Sequence, residues 1–428
     1  MIAVATALLL LLVGLGMPVA AALFLLALLL GDLYAFLPPL PALGDIAWST
    51  STEFLLVSVP LFILMGEVLL RSGLAEEMYR ALAPLLARVP GGLMHTNIAS
   101  CALFAATSGS SVATAATIGT VAMPNMERYG YGRGLFLGSI AAGGTLGILI
   151  PPSINMILYG VLAEVSVSAL YLAALLPGVL LALLFSATVL VACVWRPALG
   201  GTPLPVGRPR GLARALLPVL LLFLLVVGSI YAGLATPTEA AALGLLGALA
   251  LAAIRGVLSL RLLQAACEGT MRTTAMVMLI VLAAYFLNFV MVNIGLTQAV
   301  VGLVQHLAWP PLAVLLAVVA LYLLLGCFMD TLSLMIATTP IVVPVIVALG
   351  YDPVWFGVLF MILIEAALIT PPVGMNLFVV QAVRGGGAFR EVAAGALPFL
   401  FAMLAMIGLL IAFPGLALFL PSLLRGGS

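Results

Sequence analysis

Two stretches decide the fold: "GTLGILIPPSIN", Gly144 to Asn155, and "EAALITPPVGMN", Glu365 to Asn376. Each lies in a long apolar run where a membrane-spanning helix is expected. Each then sets a Pro-Pro pair, with glycine close by, in the middle of that run. Proline removes an amide donor and clashes with the turn before it, so both helices must break there. Pro151-Pro152 and Pro371-Pro372 lie 220 positions apart.

Composition sets the class. Of 428 residues, 65% are hydrophobic and only 7% charged, whereas a soluble domain carries roughly 25% charged residues. Several apolar stretches exceed the roughly 18 residues that cross a bilayer. The alternating segments of a β-barrel are absent, which leaves an all-α polytopic protein embedded in a lipid bilayer. All fifteen basic residues are arginines. Without lysine there is no Walker-type phosphate loop, so this chain does not hydrolyse ATP by that route. The net charge of +1 comes without a basic tract, so no nucleic-acid partner is expected. Cys101, Cys193, Cys267 and Cys327 are far apart and read as small packing residues, not a disulfide or metal set. His95 and His306 are too sparse for a metal site. The N-terminus lacks the positive region of a cleaved signal and runs straight into another apolar helix. It is therefore read as retained.

The chain is written twice. "MPNMERYGY" (Met123 to Tyr131) recurs as "VPVIVALGY" (Val343 to Tyr351), again shifted by 220. "SGLAEEMYRALAPL" (Ser72 to Leu85) resembles "IGLTQAVVGLVQHL" (Ile294 to Leu307), and "GLGMPVAAA" (Gly14 to Ala22) resembles "GLATPTEAA" (Gly233 to Ala241). Arginine marks the cytoplasmic side of a membrane protein. Arg71 to Arg88, Arg128 and Arg133 mark it in the first half, while the matching segments of the second half, Gly295 to Pro311 and around Asp352, carry none. The connection from Asp32 to Glu53 has acids and no arginine, so it lies outside. Arg196, Arg208, Arg210 and Arg214 mark a cytoplasmic linker. Arg255, Arg261 and Arg272 mark another inside loop, and Arg384 with Arg390 a third. The halves thus have opposite orientation, an inverted repeat of the kind built into secondary transporters.

The expected organisation is a first repeat over 1–196, a linker over 197–216 and a second repeat over 217–428. Each repeat opens with two helices, about 2–31 and 217–254; the first pair is either two short helices or one bent at Gly16-Met17-Pro18. A third helix follows (about 53–70 and 273–293), then an amphipathic surface segment (about 74–88 and 296–307). Next come a hairpin (about 91–127 and 311–349), a broken helix (about 134–161 and 355–381) and one closing span.

Polar residues gather in the hairpins. "ATSGSSVATAAT", Ala106 to Thr117, is flanked by apolar sequence, with cytoplasmic arginines at both ends. A segment that starts and ends on one side must turn back, with its tip at Ser108-Gly109-Ser110-Ser111. Irregular backbone at that depth must be buried in protein or line a wet cavity. The alternative, hydroxyls packing between helices, accounts for one or two of them but less well for this cluster, which favours the hairpin. The counterpart is "GCFMDTLSL", Gly326 to Leu334, where Asp330-Thr331 falls on Ser110-Ser111. A carboxylate at mid-membrane is costly, so Asp330 is read as functional by default; the alternative is a protonated or capping structural residue.

The Pro-Pro breaks free carbonyls at the end of one half-helix and expose amides at the start of the next. Freed carbonyls can ligate a cation such as Na⁺, and half-helix N-termini favour an anionic group. Thr145, Ser153 and Thr370 offer hydroxyls nearby, and Asn155 and Asn376 offer amides. Glu365 lies in the second broken helix, where it would assist a cation site or pair locally. Glu67 precedes Arg71 by four residues and reads as a helix ion pair. Glu239 sits at a helix start and reads as a cap.

"SGSSVATAATIGTVAMPNMERYGY", "AAGGTLGILIPPSINMILYG", "ATPTEAAALG" and "ITPPVGMNLFVVQ" closely resemble the large membrane subunit of tripartite ATP-independent periplasmic (TRAP) transporters. The resemblance covers essentially the whole chain. It implies an elevator-type secondary transporter in which each repeat gives scaffold helices and one hairpin to a mobile transport unit. It implies sodium-driven import of an organic acid across the inner membrane of a bacterium or archaeon, with two or more Na⁺. It also implies a periplasmic substrate-binding protein and a small four-helix membrane subunit as separate partners. Carried onto this chain, one sodium site would use Ser108 and Ser110 with the backbone at Gly147, Ile150 and Pro152. The other would use the Gly326 to Asp330 tip with the backbone at Ala367, Thr370 and Val373. The substrate would sit between the tips, against Ser110, Ser111, Ser153, Asn155, Thr331 and Asn376.

The alternative within the same class is a free-standing ion-coupled carboxylate symporter or antiporter of related fold. An intramembrane enzyme would need a convergent nucleophile and base or a metal cluster, and two histidines in different halves with no Cys/His pair do not supply one. The chain is therefore read as a transporter and not as an enzyme. A scaffold without transport would leave the matched polar hairpins without purpose. Nothing in the residues names the organic acid.

Overall fold

The computed structural model of the chain describes residues 1–202, 212–306 and 309–425. The linker positions Arg208 and Arg210, and Leu307 at the end of the second surface segment, lie outside the described residues. The described chain is helical throughout. The first helices are α1 (Ile2–Gly14), α2 (Val19–Tyr34), α3 (Leu43–Ser51), α4 (Ser58–Arg71) and α5 (Leu74–Leu86). Then come α6 (Leu93–Ser108), α7 (Ser111–Arg128), α8 (Arg133–Leu149), α9 (Ile154–Leu162) and α10 (Val167–Trp195). The chain continues with α11 (Leu212–Phe223), a π-helical turn, α12 (Ser229–Tyr231), α13 (Pro237–Ile254), α14 (Leu260–Asn293) and α15 (Leu296–His306). It closes with α16 (Pro311–Gly326), α17 (Thr331–Ala348), α18 (Pro353–Leu368), α19 (Met375–Arg384), α20 (Phe389–Ala412) and α21 (Gly415–Arg425). Among the described residues, six helices are long and apolar enough to cross a membrane, or seven if the bent pair α8–α9 counts as one span.

Two sets of helices pack together. One contains α2, α4, α13 and α14. In the other, α8 and α18 lie at the centre: α6, α7 and α20 pack on α8, while α16 and α17 pack on α18. The arms also cross between the halves, α7 against α19 and α17 against α9. α8 carries Gly134 and Gly138 one turn apart, the small-residue spacing that lets membrane helices approach closely. A Cβ at Gly138 would lie 2.0 Å from the carbonyl oxygen of Gly395 on α20.

Local chemistry sets the boundaries. Ile150, which precedes a proline, is extended (φ −83°, ψ 121°), as the proline ring demands of its neighbour, so α8 ends at Leu149. α9 starts afresh with its axis turned by 44°. Its N-cap is Ser153, whose Oγ accepts from the Met156 amide at 3.4 Å. In the second half Gly374, at φ 52°, makes the left-handed turn into α19. Thr236 and Glu239 form a reciprocal capping box at the start of α13, the role read for Glu239.

Of the two readings of the N-terminal apolar run, two helices is the one present, because Pro18 and the positive-φ Gly16 stop α1 before α2 begins. Other expectations change. The region of Arg261 and Arg272 is not a loop. Ser259 caps α14, which then runs unbroken for 34 residues, or about 51 Å at 1.5 Å per residue. The helix thus begins well before the expected 273, and it is longer than the roughly 30 Å apolar thickness of a bilayer. The Asp32 to Glu53 connection holds the short helix α3. α21 follows the closing span and packs on α10.

Candidate functional site

The first tip is built by a cap and a counter-cap. Gly109, left-handed at φ 60°, ends α6. Ser110 is extended and caps α7, its Oγ accepting from the Ala113 amide at 3.4 Å. Thr114 Oγ1 donates to the Ser110 carbonyl at 2.8 Å. Its single proton is then used, so the 2.8 Å contact with Ser108 Oγ has Ser108 donating. The lone pairs of Ser108 Oγ remain available. Sequence reading did not single out Thr114, although it lies four residues past Ser110, one helical turn away.

The second tip repeats the device with a carboxylate. Asp330 caps α17, accepting from the Ser333 amide at 3.0 Å and from the Ser333 hydroxyl. Ser110 and Asp330 therefore do the same local work 220 positions apart. The capping role weighed for Asp330 is present, and its carboxylate also lines the cavity described below.

Around the first tip the residues carried over as a sodium site converge. A Cβ on Gly109 would lie 3.0 Å from the Pro152 carbonyl oxygen, and one on Gly147 would lie 2.7 Å from that of Ser110. Ser108, Gly109, Ser110, Gly147 and Pro152 thus share one small volume where α6 and α8 end and α7 begins. Ile150 turns its side chain toward Gly178 of α10. Around the second tip, Gly326 packs on Ala367 so closely that a Cβ would lie 2.3 Å from the Ala367 methyl group. Thr370 Oγ1 donates to the Ala366 carbonyl at 2.6 Å, while Val373 is exposed.

A cavity of about 780 Å³ lies between the tips. Ser108 to Ala113 form one wall, Asp330 to Ser333 another, with Ile154, Asn155 and Met375 between them. The remaining wall belongs to the other helix set: Met17 to Ala20, Ile63 to Leu70 in part, and residues of α14 between Thr273 and Ile280. Four helix N-termini reach this cavity, those of α7, α9, α17 and α19. Each carries roughly half a positive charge. The C-terminal residues Ser108 of α6 and Leu368 of α18 line it as well. Anion-favouring and cation-favouring groups therefore stand side by side.

The six residues expected to face a substrate divide. Ser110, Ser111, Asn155 and Thr331 line the cavity. Ser153 does not; it is fully buried, its side chain caps α9, and its carbonyl accepts from Tyr171 at 3.3 Å. Asn376 is also fully buried, accepting from Ser111 at 3.3 Å and donating to the Ala141 carbonyl at 3.2 Å. It holds the first tip and does not face the cavity. Glu365 is completely buried against the backbone amides of Ile148 and Leu149, without a well-formed hydrogen bond or a basic partner among the described residues. Glu67 makes the expected ion pair with Arg71, yet it also lines the cavity. The i,i+4 spacing announced the pair; only the tertiary fold shows what lies beside it.

Comparison with known proteins agrees with this architecture. The family model described as "Tripartite ATP-independent periplasmic transporter, DctM component" matches residues 3–416. The chain is 33% identical to the C4-dicarboxylate TRAP transporter large permease protein DctM of Pseudomonas aeruginosa, covering 88% of each. It is 33% identical to the sialic acid TRAP transporter large permease protein SiaM of Vibrio cholerae, covering 87% of this chain and 88% of that one. Among solved structures, the Alcanivorax borkumensis YdaH transporter superposes with a TM-score of 0.69 at 17% identity, over 93% of this chain and 98% of that one. That likeness is one of fold.

Proposed function

This chain belongs to the DctM component family of the tripartite ATP-independent periplasmic transporters, and from that membership we propose that it imports an organic acid across a bacterial inner membrane, driven by Na⁺. Its partners are a small four-helix membrane subunit and a periplasmic binding protein that delivers the substrate. The observation that carries this reading is the cavity between the tips, where four helix N-termini meet and no arginine lines the wall among the described residues. A carboxylate there is held by backbone dipoles and by co-bound cations. Two sodium sites are assigned, one at each tip. The first uses Ser108 and Ser110 with the backbone at Gly147 and Pro152; the second uses Asp330 and the Gly326 backbone with those of Ala367 and Thr370.

The two halves are read as inverted repeats and the motion as an elevator. The set containing α8 and α18, with both hairpins, moves against the scaffold of α2, α4, α13 and α14. The scaffold wall of the cavity supports an inward-facing state. Glu67 and Leu70 line it within one turn of Arg71, and Thr273 lines it next to Arg272, and arginines mark the cytoplasmic side. The relatives are named for a C4-dicarboxylate and for a sialic acid, two acids of different size. The choice between such acids is assigned here to the binding protein and to the cavity together.

Reconstitution tests this reading. Liposomes holding this chain with its small subunit and loaded binding protein should accumulate the acid, and the chain alone should not. Robust uptake by the chain alone would replace the tripartite reading with a free-standing symporter.

A further inference from the structure

Asn155 and Asn376 occupy matching places, each the second residue of the helix after its break. Ser111 and Thr331 match as well, each the first residue of the second arm of its hairpin. Across the first pair a clasp is made: Ser111 Oγ donates to Asn376 Oδ1 at 3.3 Å, and Asn376 Nδ2 donates to the Ala141 carbonyl. Across the second pair it is not. Asn155 is only 5% exposed, yet its Nδ2 is buried without a partner, while it and Thr331 both line the cavity. A buried amide left unpaired is costly, so a state that pairs it is favoured.

The hairpins differ in the same sense. The first is pinned from outside: Tyr79 of α5 donates to Asn97 at 2.8 Å, Asn97 donates to Ser139 of α8 at 2.9 Å, and His95 meets Ser186 of α10 at 2.8 Å. The second has Tyr322 bonded to Thr338 at 2.7 Å and Asp330 bonded to Ser333, both internal. Among the described residues its side chains make no hydrogen bond to another element.

We infer that Asn155 and Thr331 are a pair of positioning residues that come together when the cation binds, so that the tip of α16–α17 closes over the loaded cavity while the first tip stays clasped. Asp330, next to Thr331, supplies the link, because a cation held between it and the Ala367 and Thr370 backbone fixes the start of α17, which packs on both α18 and α9. This rests on reading the cavity as the transport site and deepens it: one hairpin is fixed and the other moves.

Cross-linking tests it in the full-length chain with Cys101, Cys193, Cys267 and Cys327 replaced. The probe is NaCl against choline chloride, with copper-phenanthroline as oxidant. The double variant Asn155→Cys/Thr331→Cys should form its disulfide at least about tenfold faster in NaCl, the scale of an equilibrium shifted by one decade. The pair Ser111→Cys/Asn376→Cys should form its own equally fast in both salts. A rate for the first pair that ignores Na⁺ overturns the inference. A second measurement avoids altering α9: alkylation of the single variant Thr331→Cys should slow by a similar factor in NaCl, and an unchanged rate also overturns it. Thermal stabilisation of the native chain by Na⁺ is read separately. Without it the sodium reading itself fails; with it and flat cross-linking, only the clasp fails.

Discussion

Gly147 faces the backbone of Ser110: a Cβ on it would lie 2.7 Å from the Ser110 carbonyl oxygen and 2.9 Å from the Ser111 amide nitrogen. The end of α8 and the first tip can therefore share one volume only because position 147 has no side chain. Gly147→Ala must push the tip off the break. Overpacking of this kind costs about 1–3 kcal/mol, here paid in the geometry of the proposed sodium site. The expected outcome is a folded protein whose half-maximal Na⁺ concentration for uptake rises about tenfold, each 1.4 kcal/mol being one decade. Unchanged Na⁺ dependence in the reconstituted complex would count against a cation site at this tip.

Gly138 and Gly395 make a second close approach, this one structural. A Cβ on Gly395 would lie 1.8 Å from the carbonyl oxygen of Gly134. Backbone cannot yield as a side-chain end can, so α8 and α20 would have to separate. Gly395→Val should lower the thermal midpoint in detergent and the yield of monodisperse protein. Gly408→Val is the control on the same helix, where nothing lies within 4 Å. Equal effects at both positions would show that the crossing is not the cause.

The sequence was most informative where a residue type forces the backbone. Pro151-Pro152 had to end a helix whatever surrounded it, and Gly109 between Ser108 and Ser110 had to turn the chain. Legibility ended where a residue's role depends on what the fold brings near it. Asn376 reads like Asn155 in sequence, yet one is clasped to Ser111, 265 positions away, and the other is left facing the cavity. Ser153 offered a hydroxyl beside the break, but the free amides of α9 claim it as a cap. Arg261 and Arg272 read as a loop because charge usually marks one; α14 simply continues past the apolar layer, with Gly269 making room for Glu67.

That contact between Glu67 and Gly269 yields a prediction. The Glu67 carboxylate lines the cavity and is paired with Arg71, so its charge near a leaving anion is partly compensated. Glu67→Gln frees the guanidinium of Arg71 beside the cavity. A carboxylate should then be retained on the cytoplasmic side. Uptake should lose maximal rate several-fold, with little change in the substrate concentration giving half-maximal uptake. Wild-type rates in Glu67→Gln would show that the pair only stabilises α4, the ordinary role of an i,i+4 pair.

The proposed sodium coupling rests on how charge is balanced in the cavity. Among the described residues its charged lining is Glu67 and Asp330, both acids. An organic acid entering beside them adds more negative charge, and an uncompensated charge in a low-dielectric site is prohibitive. The N-termini of α7, α9, α17 and α19 supply about half a charge each, but Asp330, as the cap of α17, already uses one of them. In the proposed mechanism bound cations make up the balance, and oxygens suited to them stand at both tips: the Ser108 hydroxyl with its free lone pairs, and the Asp330 carboxylate. With the two proposed sites the expected Na⁺ stoichiometry is above one. Ser108→Ala and Thr370→Val should each raise the Na⁺ concentration for half-maximal uptake; Thr370→Val should leave the thermal midpoint unchanged, since its hydroxyl bonds only to Ala366 one turn back, whereas Ser108→Ala also removes the bond from α6 to Thr114 of α7. Uptake by the reconstituted complex should be driven in turn by a Na⁺ gradient and by a pH gradient. The Na⁺ gradient should drive accumulation, with an initial rate that rises more steeply than first order in Na⁺. Full activity in Na⁺-free buffer under a proton gradient would rule the mechanism out.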